Sequence, residues 1–266
     1  MTLLLPEASK LDIEQIVASF HAQGFARLGR ILSDEGADTL CNAADELMTE
    51  RHPGLFYQHD SPTGRYEDLD FGSGWVGASR RYRKLERLEL VAPFAAWIEN
   101  ALFASIAGTV LGDDVRLYRS VLWNKAPQVG MAVPWHQDDG RFWGLDRAPM
   151  LQVWTALDDA SEAAGCLEVV PRTHVPGLAS PEGGTVTDES LQQADATENA
   201  VSLSAVRGEA ILVHNHLWHR TGRNRTDVPR RAVSISFLSG ETHCRRRKNP
   251  RQFKRLFASS LPVQDP

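Results

Sequence analysis

After Gly112 the spacing of apolar residues changes period, and it does not change back before Leu238. Up to that point the apolar positions recur three and four apart. Ile13, Ile16, Val17 and Phe20 form one such stripe; Leu40, Ala43, Ala44, Leu47 and Met48 form another. Phe94, Trp97, Ile98, Ala101, Leu102 and Ile106 form a third. This is the spacing of helices buried along one side. Beyond Gly112 the alternation is every second residue, as in strands. The expected strands are 115–125, the stretch carrying His136 and Asp138, then 151–157, 166–170, 201–206, 210–219 and 231–238. In the first of these, Leu117, Arg119, Val121 and Trp123 are placed on one face. In 151–157, Leu151, Val153, Thr155 and Leu157 face one way, Gln152 and Trp154 the other. Parallel strands need long crossovers, usually helical. Short strands joined by turns therefore predict an antiparallel sandwich or jelly roll with helices packed outside it.

The helical third has clear punctuation. Residues 12–23 read as a helix stopped by Gly24, with a short strand at 25–28. Ser33 reads as the N-cap of a second helix, with Asp34 and Glu35 in its first turn. Pro93 opens a third helix expected to run to Leu111 and stop at Gly112. Residues 51–80 are irregular. Gly72-Ser-Gly-Trp-Val-Gly77 matches a dinucleotide fingerprint but lacks the strand before it and the βαβ unit after it, so it reads as a glycine-rich loop that could border a pocket. The stretch 177–200 carries five acidic residues and no Lys or Arg. It reads as a long insertion, either a mobile lid or a solvated loop. Residues 244–255 carry seven basic residues. With no stacking motif beside them, they read as a solvated or oligomer-contacting tail, not a nucleic-acid site. A net charge of −5 gives no reason to expect nucleic acid or anionic membrane as a partner. Three scattered cysteines fit a reducing cytosol better than a disulfide framework. The first ten residues are too weakly apolar for a signal peptide, and Asn224-Arg-Thr is an idle glycosylation match without secretion. The expectation is one domain over 1–266: a helical part at 1–112, a jelly-roll core at 113–240 with the 177–200 insertion, and a basic tail at 241–266.

The chemistry sits at Val133-Pro-Trp-His-Gln-Asp-Asp139. His136 and Asp138, two apart on an extended strand, can reach one metal ion while Gln137 points away. An imidazole and a carboxylate are two members of a facial triad for non-haem Fe(II). The third comes from Val213-His-Asn-His-Leu-Trp-His219, where His214, His216 and His219 all compete. Spacing does not choose among them. Two other classes fit part of the pattern: a zinc hydrolase built on His214, His216 and His219, and a jelly-roll binding module without catalysis. Phe142 and Trp143 follow the motif directly and are placed as substrate-pocket walls, with plain core packing the equal reading.

The motifs taken together resemble the phytanoyl-CoA dioxygenase family over roughly 115–238. The resemblance rests on six runs. They are His136-Gln-Asp138, Val153-Trp-Thr-Ala-Leu157, Gly165-Cys-Leu-Glu-Val-Val-Pro-Arg-Thr-His174, Gly208-Glu-Ala-Ile-Leu-Val-His214, His219-Arg-Thr-Gly-Arg-Asn224 and Pro229-Arg-Arg-Ala-Val-Ser234. It implies a double-stranded β-helix, a cupin-like jelly roll, with Fe(II), 2-oxoglutarate and O2 as cofactor and cosubstrates. It implies His136, Asp138 and His219 as metal ligands, with His214 structural. It implies Arg230, eleven residues after His219, as the grip on the far carboxylate of 2-oxoglutarate, with Arg231 its neighbouring rival. Thr221, Trp154, Arg119 and Val121 are implied beside the cosubstrate. Lys125 is set on the opposite face from Arg119 and Val121 and left unassigned. The family's usual Gly-Ser-His before its variable insertion is Arg172-Thr-His174 here. With Asp138 present, where related halogenases leave a chloride site, the implied outcome is oxygenation. The default is hydroxylation of a small organic metabolite, in a biosynthetic setting, with 2-oxoglutarate converted to succinate and CO2; the same centre in related enzymes also supports cyclisation, desaturation or epimerisation. Substrate and oligomeric state stay open.

Overall fold

The computed structural model describes residues 3–72 and 74–258. Met1 and Thr2, Ser73 of the glycine-rich match and the last eight residues of the expected tail lie outside them.

Thirteen strands are described: β1 (Phe25–Arg30), β2 (Phe56–His59), β3 (Tyr82–Glu86), β4 (Asp114–Lys125), β5 (Val133–Gln137), β6 (Leu151–Ala156), β7 (Leu167–Val170), β8 (Gly184–Thr185), β9 (Val201–Leu203), β10 (Glu209–His214), β11 (Trp218–Thr221), β12 (Arg230–Ser239) and β13 (Lys254–Ala258). They make two antiparallel sheets. The larger runs β1-β10-β6-β12-β4-β3-β2, with β13 also on β4; the smaller runs β8-β5-β11-β7-β9. From β4 to β7, and again from β9 to β12, successive strands alternate between the sheets, as a double-stranded β-helix requires.

Both faces of the larger sheet are buried. On the outer face Leu151, Val153, Leu212, Val233, Ile235 and Phe237 meet the helices α1 (Ile13–Gln23), α2 (Asp34–Thr49), α3 (Ala92–Ile98) and α4 (Ala101–Leu111). Phe20, Phe94, Trp97 and Phe103 from those helices are fully buried, each contributing about 1.5–3 kcal/mol by removal from water. On the inner face Trp154, Ile211, Val213 and Ala232 meet Leu167 and Val169 of the smaller sheet and Leu217 in the turn before β11. The alternation expected in β6 is as found.

Four expectations are corrected. The helix expected from Pro93 to Leu111 is two, bent by 47°. Asn100 turns extended and its side chain accepts from Phe103 N, capping a new start. The strand expected at 210–219 is also two: β10 in the larger sheet, a turn, then β11 in the smaller. In β4, Tyr118 is an extra residue, since Ser236 pairs with Arg119 and Phe237 with Leu117. This bulge switches the parity, so Leu117 packs on the helices while Arg119 points inward to Asp138. Finally, the insertion at 177–200 is folded. β8 pairs with β5. The short helices α5 (Asp188–Gln193) and α6 (Ala196–Asn199) follow, and Val186 and Ala196 pack on Trp135 and Trp218. The glycines allow this docking: a Cβ on Gly183 would lie 1.8 Å from Asp139 O, and one on Gly140 1.9 Å from Glu182 O. The tail is tied down as well. β13 pairs with β4, with Arg255 on Asp114 and Lys254 on Glu99.

No single helix among the described residues is long and apolar enough to cross a membrane, and the bent pair α3–α4 packs one face, with Phe94, Trp97, Ile98, Phe103 and Ile106, into the core.

Candidate metal centre and cosubstrate pocket

β5 and β11 are neighbours in the smaller sheet, and their register sets His136 directly opposite His219. Cross-strand pairs bring side chains together, and the two imidazole centroids are 4.0 Å apart. Asp138 lies one residue past β5. Its backbone N–H donates to Asn215 O at 2.8 Å, and Asn215 Nδ2 donates to Asp138 O at 2.9 Å. That clamp brings the Asp138 carboxylate 3.7 Å from His219 Nε2. Potential ligand atoms of His136, Asp138 and His219 lie within 4.8 Å of one another, the one such cluster among the described residues.

The surroundings prepare these groups for a cation. His136 Nδ1 meets Pro134 O at 2.8 Å and His219 Nδ1 meets Leu217 O at 2.9 Å. A carbonyl can only accept, so each Nδ1 carries the hydrogen and each Nε2 keeps its lone pair. Burial, with His219 alongside, pushes His136 down to about 4 and keeps the ring neutral. Burial alone would raise Asp138. The Arg119 guanidinium and the two imidazoles outweigh it and hold the carboxyl well below the usual range. Arg119 Nη2 donates to Asp138 Oδ1 at 3.1 Å and Gln152 Nε2 to Oδ2 at 2.7 Å. Ser234 in turn donates to Gln152 Oε1 at 3.0 Å.

A cavity opens beside the cluster. It is lined by His136, Asp138, His219, Gln152, Trp154 and Ser234, and also by Lys125, Val133, Leu167, Thr221 and Arg230. Arg230 is 2 % exposed. Its Nη2 donates to Gly165 O at 3.2 Å, its Nε has no partner, and no carboxylate pairs with it among the described residues. Thr221 Oγ1 is likewise buried without a partner. Arg231 differs: it forks onto Asp158 through Nε at 2.8 Å and Nη2 at 2.9 Å, and also pairs with Asp45. Its charge is satisfied on the helix side, which removes it as a rival to Arg230.

Of the residues expected at the site, His136, Asp138, His219, Arg230, Thr221 and Trp154 converge. Four others are placed elsewhere. Arg119 is engaged with Asp138. Val121 is buried but does not line the cavity. Trp143 stacks on Tyr118 at 4.5 Å and beneath Arg119, and Phe142 is 62 % exposed, so neither is a cavity wall. Lys125 is the reverse case: past the Tyr118 bulge it shares the inward face with Arg119, lines the cavity and donates to Met131 O. Burial first, then the positive charge of Arg230, push its ammonium well down. His214 and His216 are apart from the cluster. His216 Nε2 meets Asp139 Oδ2 at 2.8 Å, and His214 lies against His174 and Phe20. Among the described residues, His214, His216 and His219 do not converge on a three-histidine site. Gln137 points away from the cluster, as expected, and ties the insertion down through Gly177 O and Ala179 N. Gln152 and Asn215 were not expected as site residues. The placement of Gln152 opposite the apolar face of β6 was the available signal; for Asn215 there was none.

A cupin-like jelly roll with two imidazoles and a carboxylate converging inside it has the side-chain set of a facial triad. The profile of the phytanoyl-CoA dioxygenase (PhyH) family matches residues 20–232, and the chain belongs to that family. Peroxisomal phytanoyl-CoA dioxygenase of Mus musculus is 32% identical over 143 residues, 50% of this chain and 42% of the mouse protein. The chain thus spans less than half the length of that relative. Phytanoyl-CoA dioxygenase 1 of Oryza sativa subsp. japonica is 25% identical over 262 residues, 89% of this chain and 92% of the rice protein. Two solved structures share the fold. The epimerase SnoN, in complex with Fe3+, alpha ketoglutarate and nogalamycin RO, has a TM-score of 0.70 at 17% identity over 88% of this chain and 86% of its own. EctD from S. alaskensis, with 2-oxoglutarate and 5-hydroxyectoine, has a TM-score of 0.69 at 22% identity over 91% of this chain and 82% of its own.

Proposed function

We propose that the chain is an Fe(II)- and 2-oxoglutarate-dependent oxygenase that oxidises, by default hydroxylates, a small organic molecule. The observation that carries this reading is a buried guanidinium without a counter-ion, facing a cavity that also holds His136, Asp138 and His219. A buried charge is costly unless paired, so Arg230 implies an anion brought by a ligand. The donor set fits the metal: two bare imidazole Nε2 atoms and one carboxylate suit Fe(II) with positions left open.

Bound there, iron would supply the redox chemistry, using O2 to convert 2-oxoglutarate to succinate and CO2 and to oxidise a C–H bond of the substrate. The chain supplies the positioning. Arg230 accepts the far carboxylate of 2-oxoglutarate in a forked pair that a lysine cannot reproduce. Thr221 Oγ1 offers a hydroxyl to the same group, and Lys125 lines the cavity with it. Trp154 walls the cosubstrate, while Arg119 and Gln152 hold the Asp138 carboxylate in place, with one donor on each oxygen. The test is succinate release from purified protein, expected only with Fe(II) and 2-oxoglutarate together. Full turnover by His219→Ala would contradict the ligand set.

A further inference from the structure

We propose that the cavity takes a second acid besides 2-oxoglutarate: a small substrate whose carboxylate is held by Arg83. This rests on the oxygenase reading above and names its substrate class.

Arg83 is the extra residue of a second bulge, where Gln58 pairs with Lys84 and His59 with Tyr82. Its side chain lines the same cavity as His136 and Asp138 and is 6 % exposed. The guanidinium makes one side-chain hydrogen bond, from Nη1 to Gln58 Oε1 at 2.5 Å. It is flanked by the rings of Trp123 at 5.3 Å and Tyr66 at 5.9 Å. No carboxylate among the described residues lies within ion-pair distance of it. Asp60 is the acid nearby, but neither of its oxygens is hydrogen-bonded, and burial raises its carboxyl toward the neutral form.

Charge balance points the same way. Among the cavity's lining, Arg83, Lys125 and Arg230 are basic and Asp138 alone is acidic. Asp138 is already paired with Arg119, and Arg230 is the guanidinium assigned above to the far carboxylate of 2-oxoglutarate, so the one left without an anion for substrate is Arg83. A carboxylate carries the single charge required, and its planar oxygens match the fork that Gln58 leaves open. The Trp123 and Tyr66 rings flank that position and suit an apolar body attached to the acid.

The test uses full-length protein loaded with manganese(II) and saturating 2-oxoglutarate, so that added acids cannot enter the Arg230 end. Binding of 2-oxoglutarate is measured first by calorimetry; failure there removes the oxygenase reading itself. Matched pairs of small acids and their primary amides, such as 3-phenylpropanoate with 3-phenylpropanamide and hexanoate with hexanamide, are then titrated against tryptophan fluorescence. The expected result is acids bound about ten- to a hundredfold tighter than amides. Arg83→Gln should erase that preference and leave 2-oxoglutarate affinity within about twofold. Arg83→Lys, which keeps the charge without the fork, should retain part of it and serves if Arg83→Gln misfolds. Equal binding of acid and amide, no acid binding at millimolar concentration, or an acid preference that survives in Arg83→Gln would each overturn the proposal.

Discussion

Arg230→Met should move the stability of the free protein and the affinity for 2-oxoglutarate in opposite directions. In the ligand-free protein the Arg230 charge is a liability. Burial lowers its pKa from the ordinary 12.5 to about 10, which corresponds to about 3 kcal/mol against the charged form. The hydrogen bond to Gly165 O returns about 1 kcal/mol. Methionine fills similar space without charge, so the variant should gain about 2 kcal/mol when ligand-free. For a chain of this size that raises Tm by roughly 5 °C. Two charge-assisted hydrogen bonds to the 2-oxoglutarate carboxylate are lost at about 1.5–3 kcal/mol each, which weakens Kd at least about a hundredfold. Thermal melts with and without 2-oxoglutarate, beside calorimetric Kd, read both effects. A variant that melts lower when ligand-free, or that keeps the stabilisation by 2-oxoglutarate, would refute the reasoning.

Gln152→Leu removes the donor on Asp138 Oδ2 and should weaken cobalt(II) affinity about ten- to a hundredfold, read by spectroscopic titration, with little change in fold. Arg231→Ala should do the converse: it leaves Asp158 without its ion-pair partner, though Asp45 keeps Arg80, lowering Tm by several degrees, while 2-oxoglutarate affinity holds in calorimetry. His214 provides a pH test. Burial and the adjacent rings of His174 and His216 lower it from 6.5 to about 3. The unfolded chain therefore takes up this proton first as pH falls. Stability is complete above about pH 6.5 and is lost progressively toward pH 3. His214→Gln should flatten Tm against pH between 6.5 and 4; an unchanged slope would count against it.

The strands were legible because both faces of the larger sheet are buried in strict alternation, and β6 and β12 obey it without exception. His136 and Asp138 were legible because they stand two apart. His219 was not separable from His214 and His216 by spacing, since the turn after His214 that carries β11 into the other sheet leaves no period to read. Arg83 escaped because it depends on a bulge, an odd residue that shifts every side chain on one side of it; Lys125 did not need one, since it stands an even number of residues from Arg119 and Val121 and shares their face. The split at Asn100 was hidden because the apolar stripe continues across the bend, and only the cap marks it.

The extra residue at Tyr118 lets a single strand serve two environments. Before it, Val115 and Leu117 are glued to helices; after it, Arg119 and Lys125 face the reaction chamber. Were the same residues laid out as a straight strand with Tyr118 in line, everything after it would turn over, sending Leu122 into the chamber and Arg119 and Lys125 into oil. In this chain a flaw in regularity is what keeps chemistry and scaffold on their proper sides.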